Sequence, residues 1–236
     1  MKQNYLITVL LLVLVSCNKS KPIDGSPAGN PSCRIVTVID NLRSDTFKIT
    51  YNSAGKISRL SGKKRQTTFE YGNGLTTVTG FAYGTFDYKT IVTSNAAGLP
   101  VNVGYQFNTS GTDWENESYE YKGEEVTSRL YTTSSSSTRQ TTTYTWQNHN
   151  MISRNSSGVT TEYAYHSDKL KLQGDYIWMN AVFNGYEPFI SKNLVKSIGE
   201  AEILYEFDTK GRIVTVTFSI ANVAPFLVYK YEYECN

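Results

Sequence analysis

The sequence is poor in the residues from which metal and acid–base sites are usually built. Its 236 residues include two histidines, His149 and His166, and both lie in segments predicted to be turns. Neither histidine belongs to a cluster with metal-ligand spacing such as H-x-x-x-H. Residues 166–168 contain the residue types of a catalytic triad, but a triad is assembled from separated segments, so their adjacency argues against one. The net charge of +2 gives no reason to expect a nucleic-acid partner. We therefore expect no catalytic residues, no metal and no cofactor.

The chain also lacks an apolar run long enough to cross a bilayer as a helix. The run over residues 5–15 falls short of the roughly 20 apolar residues that a spanning helix needs, and with Lys2 before it is typical of a secretory signal peptide. It ends in Leu-Val-Ser-Cys at residues 14–17, which resembles the bacterial lipobox. We expect a signal peptide of residues 1–16 and lipidation of Cys17. A simple secretory signal with a chance cysteine, or a start-stop anchor, are the alternatives.

Residues 17–32 contain almost no apolar side chains. They are rich in lysine, serine, glycine and proline, so they bury too little apolar surface to offset the conformational entropy lost on folding. We therefore expect a flexible tether. Two or more acyl chains would make the membrane anchor stable. Residues 18–21 lack the acidic pair of a surface-export signal, and Asn18 is not the aspartate associated with inner-membrane retention. We expect anchoring at the outer membrane, facing the periplasm; the cell surface is the alternative.

Cysteine is also scarce. After Cys17 receives lipid, Cys33 and Cys235 remain, one at each end of the folded part. In an oxidising compartment such a pair favours a disulfide between the first and last strands, and two free thiols are the alternative.

From Cys33 onward the chain alternates strand-like segments with turns, without a long helical period. An aromatic content of 13%, with 18 tyrosines, favours strands. Phe47, Ile49 and Tyr51 alternate with Lys48 and Thr50, which predicts an antiparallel sheet with one buried face. The same alternation occupies residues 69–71, 119–121, 144–146, 163–165, 205–207 and 227–233, with Leu227 on the buried face and Val228 on the other in the last of these.

Two strands per turn give about fifteen strands, and an open sheet of more than about ten is rarely stable. We expect residues 33–236 to form one all-β domain, an antiparallel meander curled into a barrel-like or half-barrel sheet. So wide a ring leaves a void that must be filled. Residues 176–199 break the hairpin rhythm and are dense in apolar side chains. We expect them to be an irregular insert, coil with one short helical turn, that packs on the concave side.

Two segments share the pattern of an aromatic residue, three residues, glycine, one residue and an aliphatic residue. They are residues 51–57 and 207–213, and they resemble YD-type repeats. Together with the lipobox and residues 191–197, they make the chain similar to a Bacteroidetes lipoprotein family of unknown function with a porin-like fold. The resemblance covers about residues 33–235. It implies the barrel-like fold and no activity.

The remaining polar and aromatic groups admit a structural interpretation. Residues 132–143 offer no lipid-facing apolar band, so we expect a tethered body rather than a membrane-inserted barrel. Five acidic residues are interpreted as a solvated strand face and turn: Glu115, Glu117, Glu120, Glu124 and Glu125. Tyrosine and tryptophan also stack on sugars, and Trp114 and Trp178 are the first residues to test for ligand binding.

These observations favour a non-enzymatic envelope protein that acts as a structural or interaction module. We expect a monomer whose contacts are the membrane, through its lipid, and a glycan or an envelope protein. The alternative is a lipoprotein that binds a glycan or small ligand on a concave aromatic face. An enzyme is the least favoured of the three hypotheses.

Overall fold

The computed structural model describes residues 33–235. The predicted signal peptide, the predicted tether of residues 17–32 and the lipidation site Cys17 lie outside the described residues, as does Asn236.

Within the described residues, sixteen antiparallel strands form a closed barrel in which each strand pairs with its neighbours in sequence and the first pairs with the last. The prediction of an antiparallel meander of about fifteen strands is confirmed, and the sheet closes fully. The strands are β1 (Cys33–Asp40), β2 (Asp45–Tyr51), β3 (Ile57–Ser61), β4 (Arg65–Tyr71), β5 (Leu75–Ala82), β6 (Thr85–Ser94), β7 (Pro100–Gln106), β8 (Trp114–Lys122), β9 (Glu125–Thr133), β10 (Ser136–Gln147), β11 (Asn150–Ser156), β12 (Val159–Leu170), β13 (Asn193–Ile198), β14 (Ala201–Phe207), β15 (Ile213–Ile220) and β16 (Val223–Cys235).

The two ends of the barrel are distinguished by where the described chain starts and finishes. Cys33 pairs with Cys235 at one end, which we call the near end, and a disulfide joins them across the β1–β16 seam. We call this bond the seam disulfide. Odd-numbered strands run from the near end to the opposite, far end, because every neighbouring pair is antiparallel. A covalent bond therefore closes the barrel where its first and last strands meet.

The repeated aromatic–glycine pattern builds one kind of near-end turn. In the β2–β3 turn the side-chain oxygen of Asn52 accepts hydrogen bonds from the backbone N–H groups of Ala54 and Lys56, both at 3.0 Å. Gly55 then takes a φ of +76°, which suits a residue without a Cβ. The same two bonds recur from Asn95 and from Asp208, each followed three residues later by a glycine of positive φ. What the three turns share is an asparagine or aspartate followed three residues later by glycine, and this part of the pattern specifies the hairpin turn.

The aromatic alternation points into the barrel. Phe47 and Tyr119 are buried, whereas Lys48 and Glu120, which follow them in sequence, are exposed. One part of the alternation is reversed: Val228 is buried and Leu227 is exposed, so their predicted sides were wrong. The register between β15 and β16 shifts beside them, and such a bulge moves the following side chains to the other face.

Residues 171–192 leave the sheet between β12 and β13 and pass into the barrel from the near end; we call them the insert. The insert contains helix α1 (Tyr176–Asn184), which Asp175 caps by accepting a hydrogen bond from the Trp178 N–H. The predicted insert reached residue 199 and contained one helical turn, whereas the observed helix has nine residues and residues 193–198 are strand β13. No helix within residues 33–235 has the length and hydropathy required to cross a membrane.

Candidate functional site

A cavity of about 120 Å³ opens at the far end of the barrel, beside the C-terminal end of α1. Three far-end hairpins surround it, β1–β2, β3–β4 and β5–β6. We call it the far-end cavity. Its lining combines charged, hydroxyl and aromatic groups, among them Arg43, Arg65, Asp87, Tyr88, Phe81 and Phe183.

One wall of the far-end cavity is held by Asp45 at the start of β2. Its carboxylate accepts backbone hydrogen bonds from Lys63 at 2.9 Å and Lys64 at 3.0 Å, which fixes the β3–β4 turn against β2. Burial favours a raised pKa for Asp45, but these N–H groups and that of Thr46 outweigh it and lower the pKa. Gly62 permits the approach, since a Cβ there would lie 2.6 Å from the Asp45 carboxylate.

Arg43 closes a second side of the far-end cavity. Its guanidinium donates to the buried carboxylate of Asp40 at 2.7 Å, and the Arg43 backbone N–H donates to the same carboxylate at 3.0 Å. The guanidinium also lies over the Phe183 ring, 4.1 Å from its centre. Arg43 therefore ties the rim to the end of α1, and its charge is balanced by that of Asp40.

Tyr88 forms the floor between the sheet and the helix. Its ring lies over Gly80 of β5, where a Cβ would approach a ring carbon to 2.1 Å, so glycine makes room for it. The hydroxyl donates to the Phe183 carbonyl oxygen at 3.4 Å and lies 3.4 Å from the Thr67 hydroxyl. Burial raises the pKa of Tyr88, the Thr67 hydrogen bond opposes the rise, and the nearby charge of Asp87 adds to it.

Two charged side chains of the lining have no polar partner. Among residues 33–235, the side chains of Arg65 and Asp87 make no hydrogen bond and no ion pair, and both lie near enough to Tyr88 for their charges to act on its hydroxyl. Asp87 lies at a register shift in the pairing of β5 with β6. Bulges of this kind often redirect a side chain beside a site.

A second polar cluster lies inside the barrel and holds the insert to β8. Glu117 is 7% exposed and accepts hydrogen bonds from Arg129 at 2.8 Å and from the Tyr186 hydroxyl at 2.9 Å. The Tyr119 hydroxyl also donates to Glu117, and the Tyr105 hydroxyl hydrogen-bonds to that of Tyr186. The carboxylate is thus paired on both oxygens, and the cluster serves to position the insert.

Glu117 was therefore wrongly interpreted as part of a solvated strand face. It shares the parity of Tyr119 in β8, so the alternation of that strand carried the signal that it points inward. Its pairing with Arg129 on β9 and with Tyr186 of the insert has no local signal, because these residues meet only in the folded barrel.

Two solved structures share this architecture. A porin-like protein from Bacteroides uniformis ATCC 8492 aligns with a TM-score of 0.56 at 14% sequence identity, over 80% of this chain and 91% of its own. A porin-like protein from Bacteroides vulgatus ATCC 8482 gives a TM-score of 0.56 and 14% identity over 85% of this chain and 98% of its own. The fold of this chain is similar to theirs. No protein-family model and no curated protein matches the chain, so the likeness extends to the fold alone.

The porin-like fold that the resemblance implied is thereby confirmed. The two tryptophans proposed for ligand binding lie apart from the far-end cavity lining. Trp114 begins β8 and is 38% exposed, whereas Trp178 lies in α1 and packs edge-on against Tyr231, with ring centres 6.4 Å apart. The fold does not assemble them into one stacking surface, because one belongs to the wall and the other to the insert.

The histidines also occupy separate places. His149 lies in the predicted turn between β10 and β11, but His166 lies within β12, so its assignment to a turn was wrong. Strand β12 continues to Leu170 because part of it pairs with β13 beyond the insert. Within residues 33–235, no three histidine, cysteine or acidic side chains come together as a metal site.

Proposed function

We propose that this protein is a non-enzymatic interaction module of the bacterial outer membrane, anchored by lipid on Cys17 and facing the periplasm. The observation that supports it most is the filling of the barrel by its own insert. Met179 of α1 is fully buried, and Phe183 packs edge-on against Phe47 of β2 with ring centres 5.2 Å apart. On the opposite wall Phe189 packs against Tyr144 of β10 at 4.8 Å. Because the insert contacts opposite walls of the barrel interior, the structure favours binding of a partner or ligand at the ends of the barrel over conduction of ions through it.

The position of Cys33 supports an orientation. Cys33 lies at the near end, and fifteen residues, 18–32, separate it from the proposed lipid-bearing Cys17. A flexible chain of that length has an end-to-end distance of about 20 Å. The near end would therefore stay close to the membrane, while the far-end cavity would face away from it.

The outer wall supports tethering over insertion. Charged side chains lie exposed on the outside of strands around the barrel. Lys48 and Lys230 lie in the middle of β2 and β16, and Glu70, Glu120 and Glu206 lie toward the near end of β4, β8 and β14. A lysine on the lipid face at the bilayer midplane costs about 2–4 kcal/mol, and a membrane-spanning barrel needs an apolar band there. A lipid on Cys17 would hold such a wall beside the membrane.

Metabolic labelling with an alkyne fatty acid tests the anchor. In a bacterial host we expect the full chain to incorporate label and to fractionate with the outer membrane, and we expect Cys17→Ser to lose both properties. The matched control is Ser16→Ala, which keeps a small residue beside the cleavage site and should retain the label. Label that persists in Cys17→Ser would overturn the anchor.

Planar-bilayer recording and activity screening test the rest of the proposal. We expect the purified protein to produce no discrete conductance steps and no turnover on a broad hydrolase panel. Stepwise conductance would contradict the closed lumen. Turnover that is abolished by a single polar substitution would contradict the non-enzymatic role.

The interior contacts also bear on where a ligand would bind. The aromatic rings of the concave side pack against the insert, as Tyr176 does against Phe218 at 4.7 Å and Trp178 against Tyr231. A ligand-binding role would therefore use the far-end cavity, which stays open beside the insert.

A further inference from the structure

We propose that the far-end cavity binds a small zwitterion of the amino-acid class, with its carboxylate on Arg65 and its ammonium group on Asp87. The proposal rests on the binding role proposed above and adds the chemical class of the ligand. It starts from the two charged side chains of the lining that have no polar partner among residues 33–235.

Charge balance identifies a ligand that carries both signs. Arg43 is neutralised by Asp40 through an ion pair of 2.7 Å. Because the Asp40 side chain is 0% exposed, this ion pair is kept and Arg43 is not counted as a charge that needs a ligand. One cation, Arg65, and one anion, Asp87, are left over. A simple anion would leave Asp87 unpaired, and a simple cation would leave Arg65 unpaired. A zwitterion satisfies both groups at once.

The donor and acceptor geometry of these side chains fits the two ends of an amino acid. The planar guanidinium of Arg65 presents parallel N–H donors that match a carboxylate, and such charge-assisted pairs are about twice as strong as neutral hydrogen bonds. An ammonium group has three donors and no acceptor, so it is complementary to the acceptor-only carboxylate of Asp87. The rings of Phe81 and Phe183 provide apolar surface for a short side chain.

The size of the cavity limits the ligand. A cavity of roughly 150 Å³ accommodates benzene. The far-end cavity, at about 120 Å³, is somewhat smaller but opens at the far end of the barrel. The whole ligand must fit there, so a short aliphatic amino acid such as alanine or valine is better suited to it than an aromatic one.

The walls are fixed before a ligand arrives. Asp45 holds the β3–β4 turn, Arg43 is tied to Asp40 and Phe183, and Tyr88 is seated over Gly80. A preformed site loses less conformational entropy on binding than a mobile one. Arg65 and Asp87 are the groups left to respond to a ligand.

Isothermal titration calorimetry of the folded protein tests the proposal with four probes. L-alanine and L-valine carry both charges, N-acetyl-L-alanine lacks the ammonium group, and L-alaninamide lacks the carboxylate. We expect saturable binding of the two amino acids and at least tenfold weaker binding of each blocked derivative. Equal binding of amino acids and blocked derivatives, or no saturable heat with any probe, would overturn the proposal.

Substitutions then assign the two charges. Arg65→Gln should weaken L-alanine binding at least tenfold, and Asp87→Asn should do the same, while both variants keep the parent melting temperature. Matched controls are Lys48→Gln and Glu70→Gln, which remove exposed charges on the outer wall and should leave binding unchanged. Glucose is the competing probe: saturable glucose binding without amino-acid binding would replace the zwitterion with a neutral sugar.

A negative result here is separable from failure of the proposed function. Loss of the zwitterion site would leave fatty-acid labelling at Cys17 and the absence of conductance unchanged, because neither assay involves Arg65 or Asp87. Conversely, amino-acid binding by a chain that is not labelled at Cys17 would support the site and refute the anchor.

Discussion

The end of α1 offers a sharp test of how the insert sits inside the barrel. Gly185 terminates the helix with a φ of +77°, and its backbone N–H donates to the Ala181 carbonyl oxygen at 2.8 Å. A Cβ at this position would lie 2.3 Å from a methyl carbon of Val78 on β5. Gly185→Ala therefore imposes both a left-handed alanine and a collision with the fully buried Val78.

The two costs can be separated with a glycine that has the same backbone and open surroundings. Gly211, in the β14–β15 turn, has a φ of +76° and nothing within 4 Å of a built Cβ. Left-handed alanine costs about 1–2 kcal/mol, partly offset by about 0.4–1 kcal/mol from the lower entropy of the unfolded chain. We expect Gly211→Ala to destabilise the fold by about 1 kcal/mol. Overpacking adds about 1–3 kcal/mol, so Gly185→Ala should cost about 2–4 kcal/mol.

Reversible urea unfolding, followed by tryptophan fluorescence, measures both free energies. A double variant tests the assigned contact. Val78→Ala removes the methyl group that the new Cβ meets, so the cost of Gly185→Ala should fall by about 1 kcal/mol or more in that background. Equal destabilisation by Gly185→Ala and Gly211→Ala, without coupling to Val78, would refute the packing of α1 against β5.

Three further measurements test other parts of the structure. Replacing both cysteines of the seam disulfide with serine should lower the free energy of unfolding by about 5 kcal/mol in the chain-entropy model, since the closed loop is long; reductant should reproduce the loss in the parent. Tyr186→Phe removes a hydroxyl that donates to buried Glu117 and should cost about 1–3 kcal/mol in urea unfolding, whereas Tyr163→Phe should be nearly neutral. Burial raises the pKa of Asp175 from 3.8 to about 7. Protonation of Asp175 therefore stabilises the folded state fully below about pH 4, and this contribution is lost as the pH rises through 7. Asp175→Asn should remove that part of the pH dependence of thermal unfolding.

The sequence predicts the wall of the barrel well because the relevant interactions are local. Alternation with a period of two sets the buried face of each strand, and a glycine three residues after asparagine or aspartate sets the near-end turns. The mistakes lie where that period is interrupted. Leu227 and Val228 exchange sides at a bulge, which depends on how β15 and β16 pair.

The contents of the barrel are harder to predict, since they depend on contacts between distant segments. The position of Glu117 in the alternation of β8 places it on the inward face. An acidic side chain is nevertheless expected on the outside unless its partners are known. The partners of Glu117 are Arg129 on another strand and Tyr186 in the insert. A wide barrel indicates only that something must fill it.

The far-end cavity depends on distant contacts in the same way. Arg43, Arg65 and Asp87 come from three different hairpins, and none belongs to a motif that signals binding. They converge because the barrel closes and because α1 ends beside Tyr88. Two of the three charges in the lining are left without a polar partner, although pairing Arg65 with Asp87 would have been a simple way to satisfy both. A cavity whose third charge, on Arg43, is paired with Asp40 while these two are not has the arrangement expected of a site that is completed by a ligand.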